Sequence, residues 1–228
     1  SDWSSDVCSS DLDILWNNST LRQRSRLLHM ASPVATSAIE LSKTKVVGRG
    51  LSLKAAIDRD VLGMTPDAAK TWQAKTEAEF ALWSGKARNC DMLGINNFNG
   101  LQQLVLKSWL LSGDVFAVIK HQSATKLNPY GLRIQLVEAD RVSTPDKYGG
   151  TSFIGHTDGL NSDTGNRIYD GVEVDGDGKI VAYHIRNTYP NQLTYEDTKW
   201  TRVEAVGTRT GLPNILQVME SERRYITP

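Results

Sequence analysis

The chain has 228 residues, 39% of them hydrophobic, which is enough length and apolar content for one large domain or two modest ones with a buried core. Its 26 Lys and Arg balance 26 Asp and Glu, so the bulk charge gives no basis for tight, nonspecific binding to DNA or to an anionic membrane. Cys8 and Cys90 make one possible pair but no disulfide framework, and no run approaches the roughly eighteen apolar residues of a membrane span. The chain therefore reads as soluble and made in a reducing cytosol.

Ser1 to Leu12 (SDWSSDVCSSDL) is polar, low in complexity and unlike the rest of the chain. It has neither the basic start nor the apolar run of a secretory signal. Back-translated, it resembles a common short-read sequencing adapter, which points to a chimeric reading frame in which Cys8 and Trp3 carry no biological meaning. The alternative is a natural Ser/Asp-rich tail.

Beyond this segment, Asn17-Asn18-Ser19-Thr20 offers caps for a helix through Leu21, Leu27 and Leu28 that ends near Ala31. Ser32 before Pro33 is an N-cap followed by an N1 proline, and Val34, Ala38 and Leu41 then share one face of the next helix. Lys45 to Val47 reads as extended, with a turn at Gly48-Arg49-Gly50. Thr65-Pro66-Asp67 repeats the cap pattern and opens a helix whose buried stripe is expected to be Ala69, Trp72, Thr76, Phe80, Trp83 and Ala87. Asn99-Gly100 precedes a further helical run through Leu101, Leu104, Val105, Ser108 and Leu111, broken at Ser112-Gly113-Asp114.

Strands are predicted at Val115 to His121 and from Leu132 to Val137, where Leu132, Ile134 and Leu136 alternate with Arg133, Gln135 and Val137. The glycine-rich stretch from Asp140 to Tyr169 reads as loop or insertion. A hairpin comes next, with Val172 to Val174 turning through Asp175-Gly176-Asp177-Gly178 into Lys179 to Ile185. Short strands are expected near Trp200 to Val203 and Ile215 to Val218. The resulting fold class is α+β, with N-terminal helices packed against mixed or antiparallel β segments. The organisation is an adapter-like segment at 1–12, a helical to α+β region at 13–145 and a β-rich region at 146–228.

No catalytic constellation is legible in this pattern. His29, His121, His156 and His184 stand singly, without the short spacings of zinc sites, and each reads as a surface or strand residue. Gly48-Arg49-Gly50 is too short for a dinucleotide fingerprint. Glu173-Val-Asp175-Gly-Asp177-Gly178-Lys-Ile180 resembles part of a calcium loop, but His184 stands where the bidentate acid is needed and both flanks read as strands. A hairpin turn is the simpler reading, and Asp158, Asp163 and Asp170 read as solvated loop residues. Trp72 and Trp83 read as core, while Trp16, Trp109 and Trp200 stay open. Catalytic, cofactor and metal sites are therefore all expected to be absent. A hydrolase with dispersed catalytic residues, or a calcium-dependent module on the Asp175 turn, are the rival classes.

The collinear order of several short segments carries more information than any one of them. Leu21-Arg22-Gln23-Arg24-Ser25-Arg26 leads to Val46-Val47-Gly48-Arg49-Gly50-Leu51 and to Trp72 through Phe80-Ala81-Leu82-Trp83 and Cys90-Asp91. Phe98 to Leu104, Ser112-Gly113-Asp114-Val115-Phe116, Gln135 to Val142, Asp170 to Glu173 and Gly178 to Tyr183 come after them. In this order they resemble the lambda-like phage portal family, whose "VVG.G" and "GDVF" elements the second and fifth segments match. The resemblance spans nearly all of Leu21 to Glu220 and implies a chain truncated at both ends. It further implies a dodecameric homo-oligomeric ring at the capsid portal vertex of the virion, assembled in the host cytoplasm. Its implied partners are the terminase large subunit, capsid and head-tail connector proteins, and double-stranded DNA passing without sequence specificity. Neither cofactor nor membrane is implied, and the family has no active site to transfer. Another capsid or connector component is the third alternative.

Deleting residues 1–12 is expected to leave thermal unfolding unchanged. A loss above about 1 kcal/mol, the scale of a real core contact, would contradict the adapter reading.

Overall fold

Among the described residues, five helices precede eight strands: α1 (Cys8–Ala31), α2 (Pro33–Val46), α3 (Pro66–Ser84), α4 (Ala87–Cys90), α5 (Phe98–Ser112), β1 (Asp114–His121), β2 (Leu132–Glu138), β3 (Gly159–Leu160), β4 (Arg167–Tyr169), β5 (Val172–Val174), β6 (Ile180–Arg186), β7 (Trp200–Glu204) and β8 (Ile215–Met219). This computed structural model describes residues 8–126, 128–149, 159–190 and 197–219, with backbone alone for 8–17. The strands form a three-stranded sheet in the order β2-β1-β8 and a five-stranded meander, β3-β4-β5-β6-β7. β1 with β8 and every neighbouring pair of the meander run antiparallel, and the class is α+β.

The chain divides into two compact units, each discontinuous in sequence. Unit 1 takes residues 1–37, 108–118 and 136–228, and unit 2 takes 38–107 and 119–135. Within unit 1 the five-stranded meander has tight turns at two of its connections, β4–β5 and β5–β6. β4 meets β5 through the two-residue turn Asp170-Gly171, whose φ values of 45° and 85° are the paired positive angles of a type I′ hairpin. Gly171 is doubly constrained, since a Cβ there would lie 2.4 Å from Ser143 N. β5 meets β6 through Asp175 to Lys179, with the Asp175 carboxylate accepting from the backbone N–H of Asp177 and Lys179. The core of this unit gathers Phe116, Val118, Val137, Val142, Val172, Val174, Tyr183 and Ile215, with Phe116 edge-on to Tyr183 at 5.5 Å.

In unit 2 the Thr65 side chain caps α3 by accepting from Ala68 N–H, and Pro66 takes the first helical position. Phe80, Trp83 and Phe98 form a mutual aromatic cluster with ring centroids 5.2–5.5 Å apart. Trp83 is buried and its indole N–H donates to the Leu132 carbonyl at 3.1 Å. Arg133 is buried beside it, its Nη1 within hydrogen-bond reach of the carbonyls of Asn89, Tyr130 and Leu132.

The structure corrects several expectations. Asn17 to Thr20 start no helix, because α1 already runs through them from Cys8. The segment predicted as extended at Lys45 to Val47 is the last turn of α2 and the turn that succeeds it. Val34, Ala38 and Leu41 do share a face, but that face is exposed. Trp72 is 46% exposed and Phe80 only half-buried, and the α3 stripe stops at Trp83 because the helix ends at Ser84, leaving Ala87 in α4. In β2 the buried positions are Arg133 and Val137 while Leu132 is exposed, since paired carbonyls make the cation acceptable inside. The stretch read as loop from Asp140 to Tyr169 contains two 3-10 turns and the strands β3 and β4.

Trp83→Ala is expected to destabilise the chain by about 3–5 kcal/mol, the cost of deleting a large aromatic from a packed core. Trp72→Ala should cost less than about 0.5 kcal/mol, as exposed positions do. Equal losses in urea melts would contradict the orientation assigned to α3.

Candidate functional site

β5 carries Glu173 between two valines, and the local alternation would ordinarily send one of the three outward. All three are buried, and Glu173 is fully enclosed. The strand therefore brings a carboxylate into the interior of unit 1, where it must be matched by donors. Arg202 on β7 supplies two, its Nε at 2.8 Å from Oε2 and its Nη2 at 3.1 Å from Oε1. His184 on β6, directly across from Arg202 in the β6–β7 register, places Nε2 3.0 Å from Oε2. Thr164 Oγ1 and Asn166 Nδ2, from the β3–β4 connection, donate to Oε1 at 3.0 and 2.8 Å.

Burial alone would raise the Glu173 pKa, but the hydrogen bonds from Arg202, Asn166, His184 and Thr164 outweigh it and hold the group at about 2. The same carboxylate raises the Arg202 pKa, while burial lowers that of His184. His184 presents Nε2 to this carboxylate and packs edge-on to Tyr148 at a centroid distance of 5.9 Å.

This arrangement brings together residues that the sequence left apart. Glu173, read as part of a calcium-like loop, points into the sheet instead of toward the Asp175 turn, and His184, read as a lone histidine, is its partner. The acid and the histidine are committed to each other. A carboxylate held near 2 has little basicity at neutral pH, the imidazole Nε2 faces it, and the Thr164 hydroxyl donates to Glu173. His121 is exposed, His29 half-buried, and His156 and Asp158 lie outside the described residues, as does Trp3. Asp163 is exposed, as expected of a loop acid, and also accepts from the Tyr148 hydroxyl at 2.8 Å. Trp200 donates to Ser143 Oγ at 3.0 Å with Arg186 over its ring. Among the described residues no group of three His, Cys, Asp or Glu is placed to hold a metal ion, and no helix is long and apolar enough to cross a membrane.

A second polar cluster in unit 1 uses the basic face of α1. Arg22 donates to the Ser112 carbonyl at 3.1 Å and to Asp114 at 2.9 Å, and lies 3.9 Å from both Asp140 and Asp170. Arg26 pairs with Asp140 and donates to Ser112 Oγ, and Asn18 donates to Asp170. Burial holds the Asp114 carboxyl above its ordinary value in spite of Arg22 and Gln217 beside it. Two of the three arginines in this helix segment are thus spent on carboxylates within the unit. Arg24 stays exposed. The signal for this was partly present, since the Arg22/Arg26 spacing of four places both on one helix face, but their acidic partners come from distant segments.

These features define an α+β scaffold whose buried ions tie its own strands and helices together. A family model described as phage portal protein, lambda family, matches residues 1–225, the adapter-like segment included. The chain belongs to that family. It is also 28% identical over 194 residues to a probable portal protein of Halomonas phage phiHAP-1, an alignment covering 82% of this chain and 33% of that protein. The chain thus spans about a third of the length of that relative.

Glu173→Ala is expected to cost about 3 kcal/mol, toward the low end for breaking a buried ion pair because the freed Arg202 side chain reaches water. The sign of the pH dependence comes from the two shifts. Glu173 is lowered from 4.5 to about 2, so its contribution is complete above 4.5 and lost as pH falls from 4.5 toward 2. His184 is lowered from 6.5, so the unfolded chain takes up that proton first and stability also declines as pH falls below 6.5. Denaturant midpoints measured across pH should fall on acidification, and Glu173→Gln should flatten the limb below 4.5.

Proposed function

We propose that this chain is part of a portal subunit. In this reading, copies assemble into a closed, dodecameric ring at one capsid vertex, through which a terminase motor drives double-stranded DNA and to which the tail later attaches. Its role is structural and non-enzymatic, with the chemical work left to the motor. The observation that carries the reading is the family match over residues 1–225, supported by the collinear order of the segments from Leu21 to Glu220. The buried ion clusters agree with it, since both fix strands and helices in place and neither leaves a reactive group poised for substrate. The zero net charge agrees as well, because a duplex that must move through a channel cannot be held by many counterion-releasing phosphate contacts.

The test is the oligomeric state of a protein in which this chain is extended to the length of its Halomonas phage relative. Mass photometry and electron microscopy are expected to show closed rings. A protein that stays monomeric at all concentrations, or a 228-residue chain that binds duplex DNA tightly with a steep salt slope, would overturn the reading. Rings of a different symmetry would favour another head-tail connector component.

A further inference from the structure

A surface helix normally turns its apolar stripe to the core and its charges to water. α1 lies on unit 1 the other way round. Its inward face is Asn18, Arg22 and Arg26, each one turn from the next, and these reach Asp170, Ser112, Asp114 and Asp140. Between residues 18 and 31 no side chain is buried, and every apolar one is exposed. Leu21 is 48% exposed, Leu27 and Leu28 59%, and Met30 73%. Leu21, Arg24, Leu28 and Ala31 share a face at spacings of three and four, with Leu27 beside them. Ions and hydrogen bonds thus hold the helix down while its leucines point outward. A contiguous exposed apolar stripe of this kind marks a surface that something else covers.

We infer that in a full-length subunit this stripe is covered by an amphipathic helix of the same polypeptide, drawn from the part that follows β8, with an acidic residue set against Arg24. The course of the chain selects this occupant. At the C-terminal end of β8, Met219 pairs with Asp114 of β1. Asp114 is the carboxylate to which Arg22 donates at 2.9 Å, and Gln217 of β8 donates to its other oxygen at 3.1 Å. The backbone therefore leaves β8 alongside α1, at the turn that carries Arg22 and Leu21. A segment tethered there meets the stripe at an effective concentration in roughly the millimolar range, which a separate molecule would have to match.

Length and charge agree with that choice. The aligned part of this chain is 33% of the Halomonas phage relative, so most of such a subunit lies outside it. Arg24 stands within the stripe, exposed and with no carboxylate partner among the described residues. An apolar segment laid over it would strip the guanidinium of water, so that segment has to bring an acid. The inference goes beyond ring assembly, because it concerns how a single subunit is completed.

The experiment uses the protein extended to the length of that relative, prepared as a mixture of isotopically labelled and unlabelled copies. A benzophenone amino acid replaces Leu28 in one preparation and Leu21 in another. After irradiation, mass spectrometry is expected to find links within one copy, to residues on the C-terminal side of Met219. Amide exchange over residues 18–31 should be about tenfold slower in the extended protein than in the 228-residue chain, the order expected when leucines are taken out of water. Leu21→Asp/Leu28→Asp should abolish that difference and leave thermal unfolding of the 228-residue chain unchanged, and the milder Arg24→Glu should reduce it part of the way. Links between copies would overturn the proposal by making α1 a subunit contact. Links confined to residues before Met219, an absence of links, equal exchange in the two chains, or exchange indifferent to both variants would overturn it as well. Neither readout depends on rings, so a protein that forms none rejects the portal reading alone, and intact rings without these links reject this inference alone.

Discussion

The five-stranded sheet of unit 1 is organised around one buried negative charge. Glu173 sits on the middle strand of β3-β4-β5-β6-β7 and accepts hydrogen bonds from side chains of β6, β7 and the β3–β4 connection. A carboxylate taken out of water loses several kcal/mol of hydration, and only matched donors in good geometry return it. That requirement fixes register as well as stability. A one-residue slip of β6 or β7 would turn His184 or Arg202 to the opposite face and strand the charge. The short strands, two to seven residues long, bury little apolar surface individually, so this polar centre gives the sheet a specificity that its valines could not supply alone.

Charge is used twice in the chain, in opposite ways. In unit 1 Arg22 and Arg26 of α1 and Arg202 of β7 are directed inward against Asp114, Asp140 and Glu173, where they tie segments far apart in sequence. In unit 2 much of the basic complement faces solvent without partners, while its most enclosed carboxylate, Asp91, is spent on shaping the loop that carries Leu93 and Ile95. Among the described residues this use of charge is internal in one unit and partly solvent-facing in the other, on a chain that belongs to the lambda family of phage portal proteins.

The sequence by itself determined the α+β class, the caps at Ser32-Pro33 and Thr65-Pro66, the break at Ser112-Gly113-Asp114, the β5–β6 hairpin and the late strands, because each rests on a local backbone preference or a short period that neighbours in the chain suffice to set. Family membership was legible for the same reason, through short segments in fixed order. What the sequence could not decide were the facts that depend on residues far apart in it. It could not show that Trp72 points to solvent while Trp83 packs on Phe98, or that Arg133 is buried under three carbonyls. Nor could it show that Glu173, His184 and Arg202 share one face, since that comes from the register of three strands. Local rules act over a few residues, whereas burial and electrostatics act through space, and only the tertiary structure says which residues are neighbours there.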